Sequence, residues 1–516
     1  MGKQKKAKAA DFSFSPRPNK ANRIKWRPWR SASFAEAEDF DLPVLLVMST
    51  SWSPCGHRMD ETALSNGALI KEVNRYFIPI RVDGDRRPDV CDRYLLNGWP
   101  TIAFLTPGGD VMTSANSTDG RELLETAKRV RILYKNRDKA MRFEAQRRLR
   151  DLLPLEYDIR KGARELDPTI PATMIGTLIN SYDHAGGGFG EPNNTPNPAA
   201  VELLLRASRL QRPDLLAMGT TILDKMVGDG LFDEATGGFY RCSSGRTWRD
   251  PRKEKLLSVN AEIILNSLLA YRLTRSHKYH EVAFRSLNFV DKYLAAGGGG
   301  GFFASADYTH GAGTSPRGQT AGIDKTVITS WNCRMAAAYI EAYRVCRNRR
   351  YLEYALSTLD MLWCRAFEPE RGMAHYLADK NARLFGHLED QAWAIFALAA
   401  AGETTGDRGH FVRADEILDI AMMHLYSEGC FHDIPFDPSS FGLLKVRLRP
   451  IAANSVMARA LGLLATVAGE ARYRDIAETI LRTLKVDELP PVPEAAEYAL
   501  SVLGLISKIS KGRKAA

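Results

Sequence analysis

From about Asp151 onward, apolar residues recur at helical spacing in long runs. About twelve such runs are legible, near 168–181, 197–210, 212–227, 256–275, 277–294, 327–346, 349–367, 387–403, 408–427, 451–468, 470–485 and 493–509. Twelve helices make six hairpins. Glycine-aromatic punctuation falls after alternate helices: GGGFG (186–190), TGGFY (236–240), GGGGFF (298–303), RGMAHY (371–376) and EGCFHD (428–433). The spacing of roughly 50–70 residues is a weak internal repeat. An open superhelical solenoid is one arrangement with this pattern. A closed (α/α)6 toroid is preferred, because the linking loops are long and polar at one end, as the lining of a central cavity requires.

Upstream the pattern changes. Pro43–Met48 is a short apolar strand running into STSWSPCGHRM (49–59) and a helix to Tyr76. Phe77–Asp83 is a second strand, 87–97 a short helix, and IAFLT a third strand before the turn Pro107-Gly108-Gly109-Asp110. A charged helical stretch follows to about Arg150. This order fits an α/β thioredoxin-like domain. The predicted layout is a basic disordered tail (1–30), a thioredoxin-like domain (31–150), the all-α toroid (151–510) and a basic C-terminal tail (511–516).

Thiol chemistry on such a domain needs two cysteines at a helix N-terminus, where the dipole and free N–H groups favour the thiolate. With Trp52 and His57-Arg58-Met59 setting the register, those two positions hold Ser53 and Gly56. Cys55 falls between them without a resolving partner, and Cys91 lies in another helix. Trp99-Pro100 is expected as a cis peptide in the loop that faces this helix.

Charge adds a partner expectation. The net charge is +10, but residues 1–30 carry ten Lys/Arg against one Asp, and the C-terminal SKISKGRKAA carries four more. The body is therefore near neutral between basic ends, which would solubilise the chain or contact anionic surfaces. No apolar run approaches the roughly 20 residues of a membrane span, and the basic N-terminus has no apolar segment behind it. Seven scattered cysteines with no Cys-x-x-Cys suggest a reducing, cytoplasmic setting.

Several motifs in order resemble one family: His57-x-Met59, RVDGDRRPDV (81–90), GWPT (98–101), FLTPGG (104–109), GGFGEP (187–192), GGFYR (237–241) with Trp248, ASAD (304–307), DKTVITSWN (324–332), HLEDQAW (387–393) and AANSV (452–456). The chain resembles the thioredoxin-domain-containing proteins related to the spermatogenesis-associated thioredoxin-like protein. The resemblance implies a thioredoxin-like domain joined to a six-hairpin-glycosidase-like toroid, whose fold is shared by glycoside hydrolases and sugar 2-epimerases. Two departures stand out. The family's Cys-x-x-Cys-His reads Ser53-Pro54-Cys55-Gly56-His57 here. Where the family has Pro-His-Phe-Glu-Lys-Met-Leu-Tyr-Asp, this chain has Pro251-Arg252-Lys253-Glu254-Lys255-Leu256-Leu257-Ser258-Val259.

Sugar chemistry in a toroid needs two proton-transferring groups across a cavity. Loop-proximal candidates are Asp183, Asp233, Glu254, Asp307, Asp324, Glu389 and Asp390, with Lys255, Lys325, Arg241 and His432. Each acid could equally be a helix cap or an ion-pair partner. The expected catalytic set is Glu254 with Glu389 or Asp390, and Cys55 for any thiol chemistry. Trp248, Trp331, Lys255, Asp324, Asn332 and Arg241 are expected to bind substrate at the same mouth. Ten dispersed histidines show no metal-binding spacing, and no phosphate loop is present, so neither metal nor cofactor is expected. The favoured function is a binding or scaffold protein with altered centres. It would take a carbohydrate or other polar small molecule in the toroid and a protein partner on the thioredoxin-like domain. The alternatives are a carbohydrate-active enzyme and a monothiol redox or chaperone-like factor.

Overall fold

The computed structural model describes residues 12–96, 98–115, 119–136, 166–189, 194–307, 322–379, 381–484 and 494–512. The chain divides into two compact units. The first comprises Met1–Tyr157 together with Phe436–Leu448, and the second Asp158–Pro435 with Arg449–Ala516.

In the first unit, β1 (Val44–Ser49), β2 (Ile78–Asp83), β3 (Thr101–Leu105) and β4 (Val111–Ala115) form a sheet in the order β2-β1-β3-β4. β1 runs parallel to β2 and antiparallel to β3. Both β1 and β2 are buried along their whole length; β1 accordingly reads as a continuous apolar run, whereas β2 carries Arg81, paired with buried Asp60, and Asp83. Helices α1 (Ser31–Asp39), α2 (Pro54–Glu61), α3 (Gly67–Tyr76), α4 (Pro88–Tyr94) and α5 (Gly120–Lys135) complete the unit. Trp99-Pro100 is cis. The charged stretch expected beyond α5 to Arg150 lies outside the described residues.

Two boundaries differ from expectation. Residues 12–30 are not a disordered tail. Ala21, Ile24 and Trp29 are buried among them, and the Ser15 N–H donates to Asp60 at 2.9 Å. Their basic composition hid an apolar face. Phe14 and Trp26 lie over the Arg81 guanidinium, which is itself locked to buried Asp60 by bonds of 2.6 and 2.9 Å. The second difference is Phe436–Leu448, expected within the toroid. Arg93, wholly buried, donates to the carbonyls of Leu443 and Val446, and Tyr94 Oη accepts from the Leu443 N–H at 2.8 Å. Phe441 packs on Trp29 and Phe34.

The second unit holds α6 (Ile170–Ser181), α7 (Pro198–Ala207), α8 (Pro213–Gly228), α9 (Leu257–Thr274), α10 (His277–Phe289), α11 (Thr329–Cys346), α12 (Arg349–Ala366), α13 (Leu388–Thr405), α14 (Gly409–His424), α15 (Ile451–Ala468), α16 (Ala471–Thr483) and α17 (Glu494–Gly512). The odd-numbered helices pack each on the next from α7 to α17, and α17 packs back on α7. That last contact closes the ring, and the even-numbered helices lie outside it. The architecture is an (α/α)6 toroid. α15 is by length and composition apolar enough to cross a membrane, unlike the sequence reading; here it is a ring helix, with Met457, Leu461 and Leu464 buried.

One device sets where four of the inner helices begin. The fourth residue of α9, α11, α13 and α15 is an amide: Asn260, Asn332, Gln391 and Asn454. Each amide oxygen accepts the backbone N–H of one residue in the preceding glycine loop, and each amide nitrogen donates back to the same residue's carbonyl. The gripped residues are Phe239, Phe302, Met373 and Phe431, with bonds of 2.7–3.1 Å. Glycines at positive φ (Gly238, Gly301, Gly372 and Gly429) bring each loop to its clamp. The glycine-aromatic punctuation of the sequence is this clamp seen in one dimension.

Candidate functional site

Each of the six inner helices carries an ionisable residue within a mostly apolar stretch: Glu202 on α7, Glu262 on α9, Arg334 on α11, Glu389 on α13, Arg459 on α15 and Glu497 on α17. These six side chains form two guanidinium-centred groups. Arg334 pairs with Glu389, lies 3.7 Å from Glu262 Oε1, and stacks over Trp393 at 4.7 Å. Arg459 pairs with Glu202, lies 3.7 Å from Glu497 Oε2, and stacks over Phe396 at 5.2 Å. Arg206 adds a second bond to Glu202 at 2.6 Å. Glu202, Arg206, Arg459 and Phe396 also line a cavity of about 580 Å³, within the size range of small-molecule sites.

Burial splits the carboxyls. At Glu202 burial pushes the pKa up, but Arg459 and Arg206 outweigh it and hold it at about 2. At Glu497 burial dominates and carries the carboxyl up to about 7. Burial also raises Glu262. Two carboxyls sharing one arginine thus differ in state near neutral pH: Glu202 is an ionised acceptor and Glu497 a part-time proton donor. Such a division is what acid–base work on a bound hydroxyl requires.

The residues expected at this site mostly lie elsewhere. Glu254, in the strand Glu254–Leu256, is fully buried and accepts from Arg241 Nε and Nη2 at 3.0 and 2.7 Å. Its cross-strand neighbour is Asp307, and burial raises its pKa. Glu389 has its own arginine, Arg334, so the two acids are held in separate ion pairs rather than as one acid–base pair. Lys255 points to the other side of its strand. It is buried against Asp233 Oδ2 (2.7 Å), Thr236 Oγ1 (2.8 Å) and the Gly237 carbonyl (2.6 Å), and so holds the glycine loop rather than a ligand. Trp248 is 1% exposed in the apolar core and offers no sugar platform. Asn332 is spent on its clamp. Asp324 caps the Thr326 N–H and hydroxyl at 3.0 and 2.7 Å. Trp331 is half-buried against Ile328 and Tyr376. Asp390, beside Glu389, takes different partners: the Ser330 N–H at 2.9 Å and His375 Nδ1 at 2.8 Å. The GEP of the 187–192 motif, from Gly190 on, lies outside the described residues.

Sequence reading passed over Glu202, Glu262, Arg334, Arg459 and Glu497 because it searched loops. A usable signal was present: one or two charges in each of VELLLRA, NAEIILN, NCRMAAA, MARALG and EAAEYAL, inside helices too apolar to need them for solubility.

In the first unit, Ser53 occupies the N-cap of α2 and accepts the Gly56 N–H at 3.2 Å. A Cβ at Gly56 would fall 1.9 Å from Ser49 Oγ, so a side chain at the position of the second thiol would require the Ser49 hydroxyl to turn away. Cys55 is exposed and forms no disulfide.

Comparison with known proteins agrees with this division. Residues 12–152 match the thioredoxin DsbH family model, described as a protein of unknown function, DUF255. Human spermatogenesis-associated protein 20 is 27% identical over 308 residues, covering 55% of this chain and 39% of that protein. An uncharacterized protein of Caenorhabditis elegans is 25% identical over 304 residues, covering 55% and 41%. These matches thus span about two-fifths of the length of the curated relatives. Among solved structures, cellobiose 2-epimerase from Spirochaeta thermophila DSM 6192 superposes with a TM-score of 0.53 at 14% identity, covering 67% of this chain and 98% of that one. A D-mannose isomerase gives 0.53 at 11% identity, covering 67% and 100%. At these identities the structural likeness establishes the toroid fold.

Proposed function

With residues 12–152 matching the thioredoxin DsbH family model and the chain 27% identical to human spermatogenesis-associated protein 20 over 308 residues, we propose that it is a binding protein whose toroid takes a polyhydroxylated ligand of the carbohydrate class. In this reading its thioredoxin-like unit is a docking module without dithiol chemistry. The observation that carries the toroid reading is the charged cluster: part-buried carboxyls and guanidiniums from all six inner helices, with Phe396 under Arg459 and a cavity of about 580 Å³ alongside. Bidentate-capable arginines and carboxylates flanked by an aromatic face are suited to hydroxyl groups on an apolar ring. The α2 N-terminus, capped by Ser53 and with Gly56 in place of a second thiol, supports the second half. The toroid fold is shared with a cellobiose 2-epimerase and a D-mannose isomerase, which guides the choice of ligands to try.

A second reading, a carbohydrate-active enzyme, is favoured by one observation: the split between Glu202 at about 2 and Glu497 at about 7 across Arg459. One experiment separates the two. Cellobiose, mannose and related sugars are titrated calorimetrically into the full chain, and the mixture is followed by NMR for a change at the sugar carbons. Saturable heat that Glu202→Gln abolishes, with unchanged sugar, is the expected result. Conversion of the sugar that Glu497→Gln abolishes selects the enzyme. No heat with any sugar overturns the binding reading. Insulin-reducing turnover dependent on Cys55 would overturn the non-redox half.

A further inference from the structure

The hairpin before α13 brings together three residues from two separate stretches, RGMAHY and HLEDQAW, without a metal-binding spacing along the chain. Gly372–Ala378 pairs antiparallel with Asn381–Phe385, and the Gly386 N–H donates to the Met373 carbonyl at 3.0 Å. Gln391 grips Met373 from α13. The chain is thereby folded so that His375, on the strand, faces His387, the N-cap of α13, with ring centroids 5.6 Å apart. Asp390 is three residues on from His387, on the same side of the first helical turn. Its Oδ2 lies 2.8 Å from His375 Nδ1 and 3.8 Å from His387 Nδ1. One ligand atom from each of the three residues lies within 4.8 Å of the other two.

We propose that His375, His387 and Asp390 form a binding site for a divalent transition metal of the zinc class. Three observations carry it. Donor chemistry is the first: two imidazoles and a carboxylate are a borderline nitrogen–oxygen set, typical of zinc and its neighbours. Spacing is the second. Ligand atoms about 2.0–2.1 Å from a tetrahedral ion lie about 3.3 Å from one another, and the two distances from Asp390 Oδ2 fall on either side of that value. The third is an orphan. His387 is 7% exposed, and neither ring nitrogen has a hydrogen-bond partner among the described residues. A neutral imidazole always carries one donor and one acceptor, so burying both unmet is costly unless something else binds there. A metal ion would take one of the two.

The surroundings are those of a ligand set held in place. Asp390 is anchored by the Ser330 N–H, which fixes the carboxylate as outer partners of metal ligands commonly do. The expectation of no metal rested on sequence spacing. His375 and His387 are 12 residues apart across a hairpin, a spacing set by strand pairing rather than by helix periodicity.

The test uses the full chain, stripped with chelator and titrated with Co²⁺ while visible d–d absorption is followed, then with Zn²⁺ in competition. One equivalent per chain is expected, with Zn²⁺ displacing Co²⁺. His387→Gln should weaken binding by at least about tenfold. Asp390→Asn keeps an acceptor for Ser330 and should do the same while leaving the fold intact. Adding chelator should lower the thermal midpoint of the parent chain and leave that of Asp390→Asn unmoved. Absence of a d–d band in the parent chain, or equal affinity in parent and both variants, overturns the proposal.

Discussion

Glu497 shows how one residue can work against the ring that holds it. Burial raises its carboxyl from an ordinary 4.5 to about 7, and Arg459, 3.7 Å away, only partly compensates. Between those values the folded chain binds a proton that the unfolded chain has released, so stability falls as pH climbs from 4.5 to 7 and stays lower above that. Its side chain is 13% exposed, so solvent screening is modest. Glu497→Gln should remove this slope. Urea unfolding should find the variant more stable than the parent at pH 8 by on the order of 1–3 kcal/mol, and nearly equal to it at the acid end. Equal slopes in the two proteins would mean that Glu497 is ionised in the ring. The opposite case is Asp233. Burial there pushes the carboxyl up, but the Lys255 ammonium prevails and holds it at about 2, so on the acid side its contribution is complete above the ordinary carboxylate pKa and is lost as pH falls toward 2; on the alkaline side burial lowers Lys255 to about 8.

At the scale of the element, the amide clamp is the unit of construction. Asn332 makes three bonds from one side chain, to the N–H and carbonyl of Phe302 and to the Ile328 carbonyl. Asn332→Ala leaves those groups buried and unmet, which costs about 2–4 kcal/mol. The expected outcome is a thermal midpoint several degrees lower for the full chain. Asn332→Asp should be no better, since a carboxylate cannot donate to either carbonyl. Recovery of parental stability in the Asp variant would show that acceptance from Phe302 alone holds the loop. The same reasoning applies at Asn260, Gln391 and Asn454, and Gln391 shows that a longer amide serves where the loop is a β-hairpin.

For the whole molecule, the thioredoxin-like unit is not complete as a continuous stretch of chain. Arg93 is fully buried with donors spent on Leu443 and Val446, and Phe441 fills the space between Trp29 and Phe34. A fragment ending at Tyr157 would lose the Arg93 bonds to Leu443 and Val446 and uncover the apolar faces of Trp29 and Phe34, which is destabilising. We expect a 12–157 fragment to be poorly folded by circular dichroism and protease resistance, and to gain both when a 436–448 peptide is supplied. Full stability of the fragment without the peptide would contradict this.

Much of this protein was legible in one dimension. Helical periodicity and glycine punctuation were enough for the six hairpins, because amphipathic spacing and positive-φ turns are local properties. Ser53 and Gly56 were enough to exclude a dithiol, because that chemistry depends on residue identity. Other features depended on closure of the ring. A charge such as Arg334 or Glu262 acquires a partner only when the neighbouring inner helix arrives, 55 to 72 residues away. Sequence could nominate Glu254 and Glu389 by their nearness to loops, yet each was already committed to an arginine that only packing supplies. His375, His387 and Asp390 meet for the same reason. Strand register and a glycine turn place them, and neither leaves a spacing that can be read along the chain.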